Sequence, residues 1–269
     1  MIHLRYLQYC LLIMIAAIMH PGCAKTTGVP SVPRSAALTV VNAVPNSVNI
    51  VPVINTSSAI MYFSNAQSIG YGNFWEYSPS GGNDTVYAVQ QNSDTLNIGP
   101  KSAGLFYNIL DLKVGGIYSL FLTGADTSSP DYLLTTDSLP YQVPADSTVG
   151  IRFVNLSTGS SPMSINLEGS PNGSEVSNLP YKGITGFKNY LCNSTLTNGS
   201  YTFVIRDAAT GDSLIAYTLF GIGSGNGIGL GDPTNPSNSL IFRNITIAVY
   251  GSENLMSNSP LNAMGIDNY

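Results

Sequence analysis

The sequence predicts an all-β protein of two tandem β-sandwiches, and three observations predict it. The first is composition: 43% of the 269 residues are hydrophobic and only 9% are charged, and the polar share is carried by Ser, Thr, Asn and Gly. Those residues favour turns and exposed strand faces over helix interiors, and the many Tyr, Val and Ile favour strands. The second is pattern: short apolar or alternating runs recur between Gly, Pro, Asn and Asp turns, with no helical period. The third is duplication. Leu38-Thr-Val-Val-Asn42 and Ile151-Arg-Phe-Val-Asn155 both end in Val-Asn, then turn, then alternate.

The chain is long enough to bury a core for one large or two modest domains. Residues 1–22 read as an export signal. Arg5 and His3 lie at its start, and the apolar run Leu11 to Met19 is too short to span a bilayer that needs about 20 residues. Pro21-Gly22-Cys23 follows, a small residue directly before cysteine where the apolar run ends. This resembles a bacterial lipoprotein signal in which Cys23 is lipidated and becomes the new N-terminus; His20 stands where that pattern prefers Leu. Residues 23–35, with Pro30 and Pro33 and no apolar period, read as a tether.

Residues 36–140 form the first expected repeat. Its strands include Ala59–Phe63, Thr85–Val89 turning into Thr95–Ile98, and Ile117–Leu122 before Gly124. Residues 147–251 form the second. Leu179 to Tyr190 matches the Tyr71–Tyr77 region, Tyr201–Ile205 returns through Leu214–Phe220, and Ile245–Tyr250 before Gly251 matches the strand before Gly124. Three matches in one order argue for duplication. The faces Tyr118, Leu120, Leu122 and Ile245, Ile247, Val249 are expected to line two separate cores. Residues 252–269 read as a loose polar tail.

Net charge is −5 and the pI about 4.8, with no basic cluster, which argues against nucleic-acid binding. Both histidines, His3 and His20, lie in the leader, so the expected mature chain has none. That excludes Ser-His-Asp and Cys-His catalysis and histidine-ligated zinc. Cys10 sits in the leader, Cys23 is assigned to the lipid, and Cys192 is left as an unreactive thiol.

The glycines from Phe220 to Gly231 alternate, so they match no phosphate-loop order and read as a hairpin loop. Asp207, Asp212 and Asp232 lack calcium-loop spacing and read as turn residues. Glu76, Glu168, Glu175 and Glu253 show no marked catalytic pair, and no cofactor or metal is implied. Asp84-Thr, Asp94-Thr, Asp137-Ser and Asp212-Ser resemble O-glycosylation acceptors of exported Bacteroidetes proteins; chance turns compete with that reading, and the Asn193 sequon, which matters only in a eukaryotic host, has the same weakness. Tyr71, Phe74, Trp75, Glu76 and Tyr77 are the candidate ligand-binding residues, the densest aromatic group and the one holding the single tryptophan. They either fill a core or leave one or two rings outside as a stacking platform on a loop.

Leu38–Asn42 with Val48–Val53, Ile117–Gly124, Leu133–Asp137 and Ile151–Ser157 resemble the Bacteroidetes lipoproteins built from tandem copies of the module known as domain of unknown function 4397. The resemblance covers residues 36–251, and the glycine-rich stretch 221–231 departs from it. It implies immunoglobulin-like or transthyretin-like sandwiches and surface placement, with no established activity. The reading that results is a non-catalytic outer-membrane lipoprotein, on the periplasmic or cell-surface face, binding a glycan or protein or serving structurally. A carboxylate-dependent glycan hydrolase and a subunit of a surface fibre or uptake complex stand as the alternatives.

Overall fold

In the computed structural model the described residues are 35–55, 61–62, 67–91, 95–96, 104–143, 145–192, 199–222, 240–254 and 257–268. The leader, Cys23, the tether, the stretch 223–239 and Asn193 lie outside them. The regular structure they form is β, as expected.

The first repeat contains β1 (Ala37–Asn42), β2 (Ile50–Ile54), β3 (Met61–Tyr62), β4 (Asn73–Tyr77), β5 (Gly82–Gln90), β6 (Thr95–Leu96), β7 (Gly104–Leu112), β8 (Ile117–Asp126) and β9 (Ser129–Thr136). The second contains β10 (Thr148–Asn155), β11 (Met163–Leu167), β12 (Val176–Leu179), β13 (Lys188–Leu191), β14 (Ser200–Asp207), β15 (Ser213–Phe220), β16 (Asn244–Tyr250) and β17 (Asn262–Asn268). One sheet of each repeat runs β4-β1-β8-β9 and β13-β10-β16-β17; its central pair is parallel and its outer pairs antiparallel. The facing sheets run β2-β5-β7 and β12-β11-β14-β15. The repeats thus share one strand order in these sheets, with β12 added in the second and the two-stranded sheet β3-β6 in the first.

Two expectations are corrected. The polar tail is not loose, because Asn262–Asn268 is β17, paired along its length with β16 as β9 is with β8. Met264 and Ile266 alternate inward there, and the intervening Gly, Asp and Asn masked that period. Thr95-Leu96 is not the return strand of Thr85–Val89: it pairs with β3, while β5 pairs with β2 and β7.

Leu38, Val40, Tyr118, Leu120 and Leu122 share the first core, and Val149, Ile151, Phe153, Ile245, Ile247 and Val249 the second, as expected. Strand alternation sends the remaining residues of these strands the other way. Val41 and Phe121 meet Val154, Ala248, Met264 and Ile266 in a third apolar cluster between the sandwiches. The parallel central strands are therefore covered on both faces, which is why β10 and β16 are buried at every position.

Polar groups share that interface. Arg152 Nη1 donates to Asp137 Oδ1 at 2.8 Å, Arg152 Nε to Thr246 Oγ1 at 2.7 Å, and Ser119 Oγ to Asp137 Oδ2 at 2.6 Å. The guanidinium also lies 4.7 Å from the Phe187 ring centroid. Thr123 Oγ1 donates to the Leu156 carbonyl at 2.6 Å, tying one repeat to the other.

The Val-Asn motif is the hinge of each repeat. Asn42 Oδ1 accepts from Val44 N at 3.3 Å, and its Nδ2 donates to Ser47 Oγ at 3.1 Å and Ile69 O at 3.3 Å. Asn155 does the same: Oδ1 accepts from Ser157 N at 2.9 Å, and Nδ2 donates to Ser160 Oγ at 3.2 Å and Leu179 O at 3.1 Å. Each amide closes the turn after the opening strand and joins it to the approach of the edge strand. The closing glycines match too. Gly251, at φ 94°, would place a Cβ 2.3 Å from Pro260 O, and Gly124, at φ 128°, one 2.4 Å from Ser129 O. Close strand approach as well as backbone conformation demands glycine at both.

Cys192 is 3% exposed in the second core, and burial pushes its thiol up to about 11. Iodoacetamide at pH 8 is expected to modify it slowly in the native protein and rapidly in urea. Fast native alkylation would show a low-pKa thiolate instead.

Candidate functional site

The Tyr71–Tyr77 region is not a loop. Asn73–Tyr77 is β4, at the edge of its sheet, with Phe74 opposite Val41 and Trp75 opposite Val40. Alternation therefore divides the candidate residues between two faces. Phe74 joins Tyr71 against the inter-sandwich cluster, and Tyr77 packs against the first core. Trp75 shares Tyr77's side of this edge strand but is 48% exposed. Glu76 is half-buried, opposite Thr39, on the side of Phe74. The five residues do not form one platform.

Tyr71 meets Tyr250 edge to face, with centroids 5.2 Å apart and planes at 80°. Burial pushes the Tyr71 hydroxyl up to about 12, and pushes that of Tyr77 higher still. Among the described residues the buried Tyr77 hydroxyl has no hydrogen-bond partner.

Beside this contact lies a cleft of about 380 Å³ between the repeats. Gly72, Asn73 and Phe74 form one wall, from the first repeat. Tyr217, Tyr250 and Met264, with Ala263 and Gly265, form the other from β15, β16 and β17. A Cβ on Gly72, at φ 73°, would lie 2.3 Å from the Tyr250 hydroxyl, so glycine lets β4 approach that ring. Burial pushes Tyr217 up to about 12 against a lowering hydrogen bond from the Gly265 backbone, and raises Tyr250 as well. Among the described residues, none that lines the cleft is charged at neutral pH. The volume falls in the range of small-ligand sites.

Tyr217, Tyr250 and Met264 were not singled out from sequence. The one signal was for Tyr250, in β16, whose apolar residues on both faces mark a strand covered twice.

The carboxylates serve other ends. Glu175 accepts from Lys188 Nζ at 2.7 Å and from the Tyr190 hydroxyl. Asp207 Oδ1 accepts from Ala209 N at 2.8 Å and Thr210 N at 2.9 Å, closing the expected turn. Asp84 is buried beside Asn55, and Asp137 is buried at the interface. Among the described residues, no three His, Cys, Asp or Glu side chains group as metal ligands.

The fold and the cleft together define a tandem β-sandwich protein whose candidate site is shared by its two halves. No family model and no curated protein matches the chain. Among solved structures, that of a candidate adhesin from Bacteroides ovatus is similar over 87% of this chain and 95% of its own, at 12% identity and a TM-score of 0.25.

Proposed function

We propose that the chain is a non-catalytic cell-envelope lipoprotein, exported by residues 1–22, anchored to the outer membrane through Cys23, and acting by contact. The resemblance to tandem lipoproteins of the domain of unknown function 4397 supports the placement. The observation that carries the binding role is the inter-repeat cleft. Its three rings, thioether and amide suit stacking and hydrogen bonding, and its tyrosines stay protonated at neutral pH, so it offers a neutral surface with hydroxyl donors. Trp75, exposed on the edge strand β4, offers a second stacking surface.

A glycan array and a cell-surface pulldown with wild type and Tyr250→Ala, run beside a glycosidase screen, test this reading. Binding that the variant weakens at least tenfold, with no product formed, is expected. Turnover abolished by one Asp or Glu substitution would replace it with the hydrolase. Separately, Cys23→Ser is expected to move the protein from the membrane to the soluble fraction. Unchanged partition of that variant would remove the anchor.

A further inference from the structure

The duplication supplies an internal control for the cleft. Gly72 N donates to Asn42 O at 2.8 Å, and Lys182 N donates to Asn155 O at 2.7 Å, so Gly72 and Lys182 occupy equivalent positions. Phe74 lies opposite Val41 as Ile184 lies opposite Val154. Pairing of the last strands makes Tyr132, Leu133 and Leu134 equivalent to Ala263, Met264 and Gly265, and Thr123 equivalent to Tyr250. Asn108 lies opposite Val86 as Tyr217 lies opposite Phe203.

At the Lys182 end the repeats are latched. Lys182 Nζ lies 2.5 Å from Asp131 Oδ2, and the Tyr181 hydroxyl donates to the same oxygen at 3.2 Å; within the first repeat, Asn108 Nδ2 donates to the Tyr132 hydroxyl at 3.1 Å. At the Gly72 end the main changes open a slot walled by rings. Small residues replace large ones at Gly72, Ala263 and Gly265, while Tyr217 and Tyr250 replace Asn108 and Thr123 as walls. A contact needed only to hold the repeats together would not lose its bulk and its ion pair while gaining two rings.

On this basis, and resting on the contact-binding reading above, we infer that the cleft between β4 and β15–β17 is a binding site for an uncharged sugar unit of about disaccharide size. The C–H faces of a pyranose carry partial positive charge, which the negative π faces of Phe74, Tyr217 and Tyr250 attract. Its hydroxyls match the Asn73 amide and the tyrosine hydroxyls of the lining. With no lysine, arginine or carboxylate among the described residues of the lining, an acidic or basic sugar would lose its hydration without gaining a partner.

The test is isothermal titration and saturation-transfer NMR on the mature protein with lactose, maltose and cellobiose, with sialyllactose as the charged comparison and a Leu/Phe-rich peptide as the apolar one. Tyr217→Asn and Gly72→Lys each import the residue of the latched end, and thermal melts confirm that they fold. At least one neutral disaccharide is expected to bind, with affinity falling tenfold or more in both variants. Tyr141→Ala, at a side chain 80% exposed, is expected to leave affinity unchanged. Sugar binding lost in Trp75→Ala but kept in Tyr217→Asn would move the site to the Trp75 side of β4 and overturn the assignment. Capture of the peptide alone, sensitive to Tyr217→Asn, would overturn the sugar and leave the binding role standing. Binding of none of these probes by wild type would overturn both.

Discussion

Arg152→Met is expected to destabilise the protein by about 3–5 kcal/mol, the range for stripping one partner from a buried ion pair. The Arg152 and Asp137 side chains are 6% and 0% exposed, so removing the guanidinium strands a carboxylate held by the hydroxyls of Ser119 and Thr135. Those hydroxyls cannot neutralise it, and water cannot reach it without parting the sandwiches. The double variant Arg152→Met/Asp137→Leu is expected to recover most of the loss, because an apolar pair of similar volume needs no desolvation. The native pair is itself imperfect: among the described residues the buried Arg152 Nη2 has no hydrogen-bond partner. Urea unfolding of the two single variants and the double variant measures this. A cost below about 1 kcal/mol for Arg152→Met would mean that the interface is hydrated.

Asn155→Ala is expected to cost about 2–4 kcal/mol, from unsatisfied groups left behind. Asn155 is 0% exposed, and its loss leaves the Ser157 amide and the Leu179 carbonyl without their side-chain partner. Asn42→Ala is expected to cost a similar amount, since it removes the same set of bonds from the first repeat. Asn155→Asp is the sharper probe. It keeps the acceptor for Ser157 N and removes the donor to Leu179 O, so it is expected to retain only part of the stability. Thermal melts of the three variants decide it. Equal stability of Asn155→Ala and wild type would reduce the motif to a sequence coincidence.

The repeat was legible because one polar residue, buried after an apolar run, must be satisfied the same way each time. The core faces of β8 and β16 were legible for the same kind of reason, since period two leaves no freedom. Burial of their second face was not, because a doubly covered strand reads as a plain apolar run, without saying what covers it. The aromatic group at Tyr71–Tyr77 was visible as composition, but its division between two faces depended on β4 pairing with β1, a contact distant in sequence. The cleft was hidden more deeply. It is made by Gly72, Ala263 and Gly265 as much as by Tyr217 and Tyr250, and the absence of a side chain leaves no pattern to read.

The two sandwiches meet through equivalent faces, which is the geometry of a two-fold dimer written into one chain. In a true dimer of identical subunits each residue acts twice, so any change that opens one end of the interface opens the other. Covalent linkage removes that restriction. It also holds the second half at an effective concentration of order mM, so neither end has to supply a dimer's affinity alone. The latch of Lys182 and Asp131 can then bear the mechanical task at one end, while Gly72 leaves the other end free to vary under separate selection. Duplicated chains of this kind can change what they contact without renegotiating what holds them together.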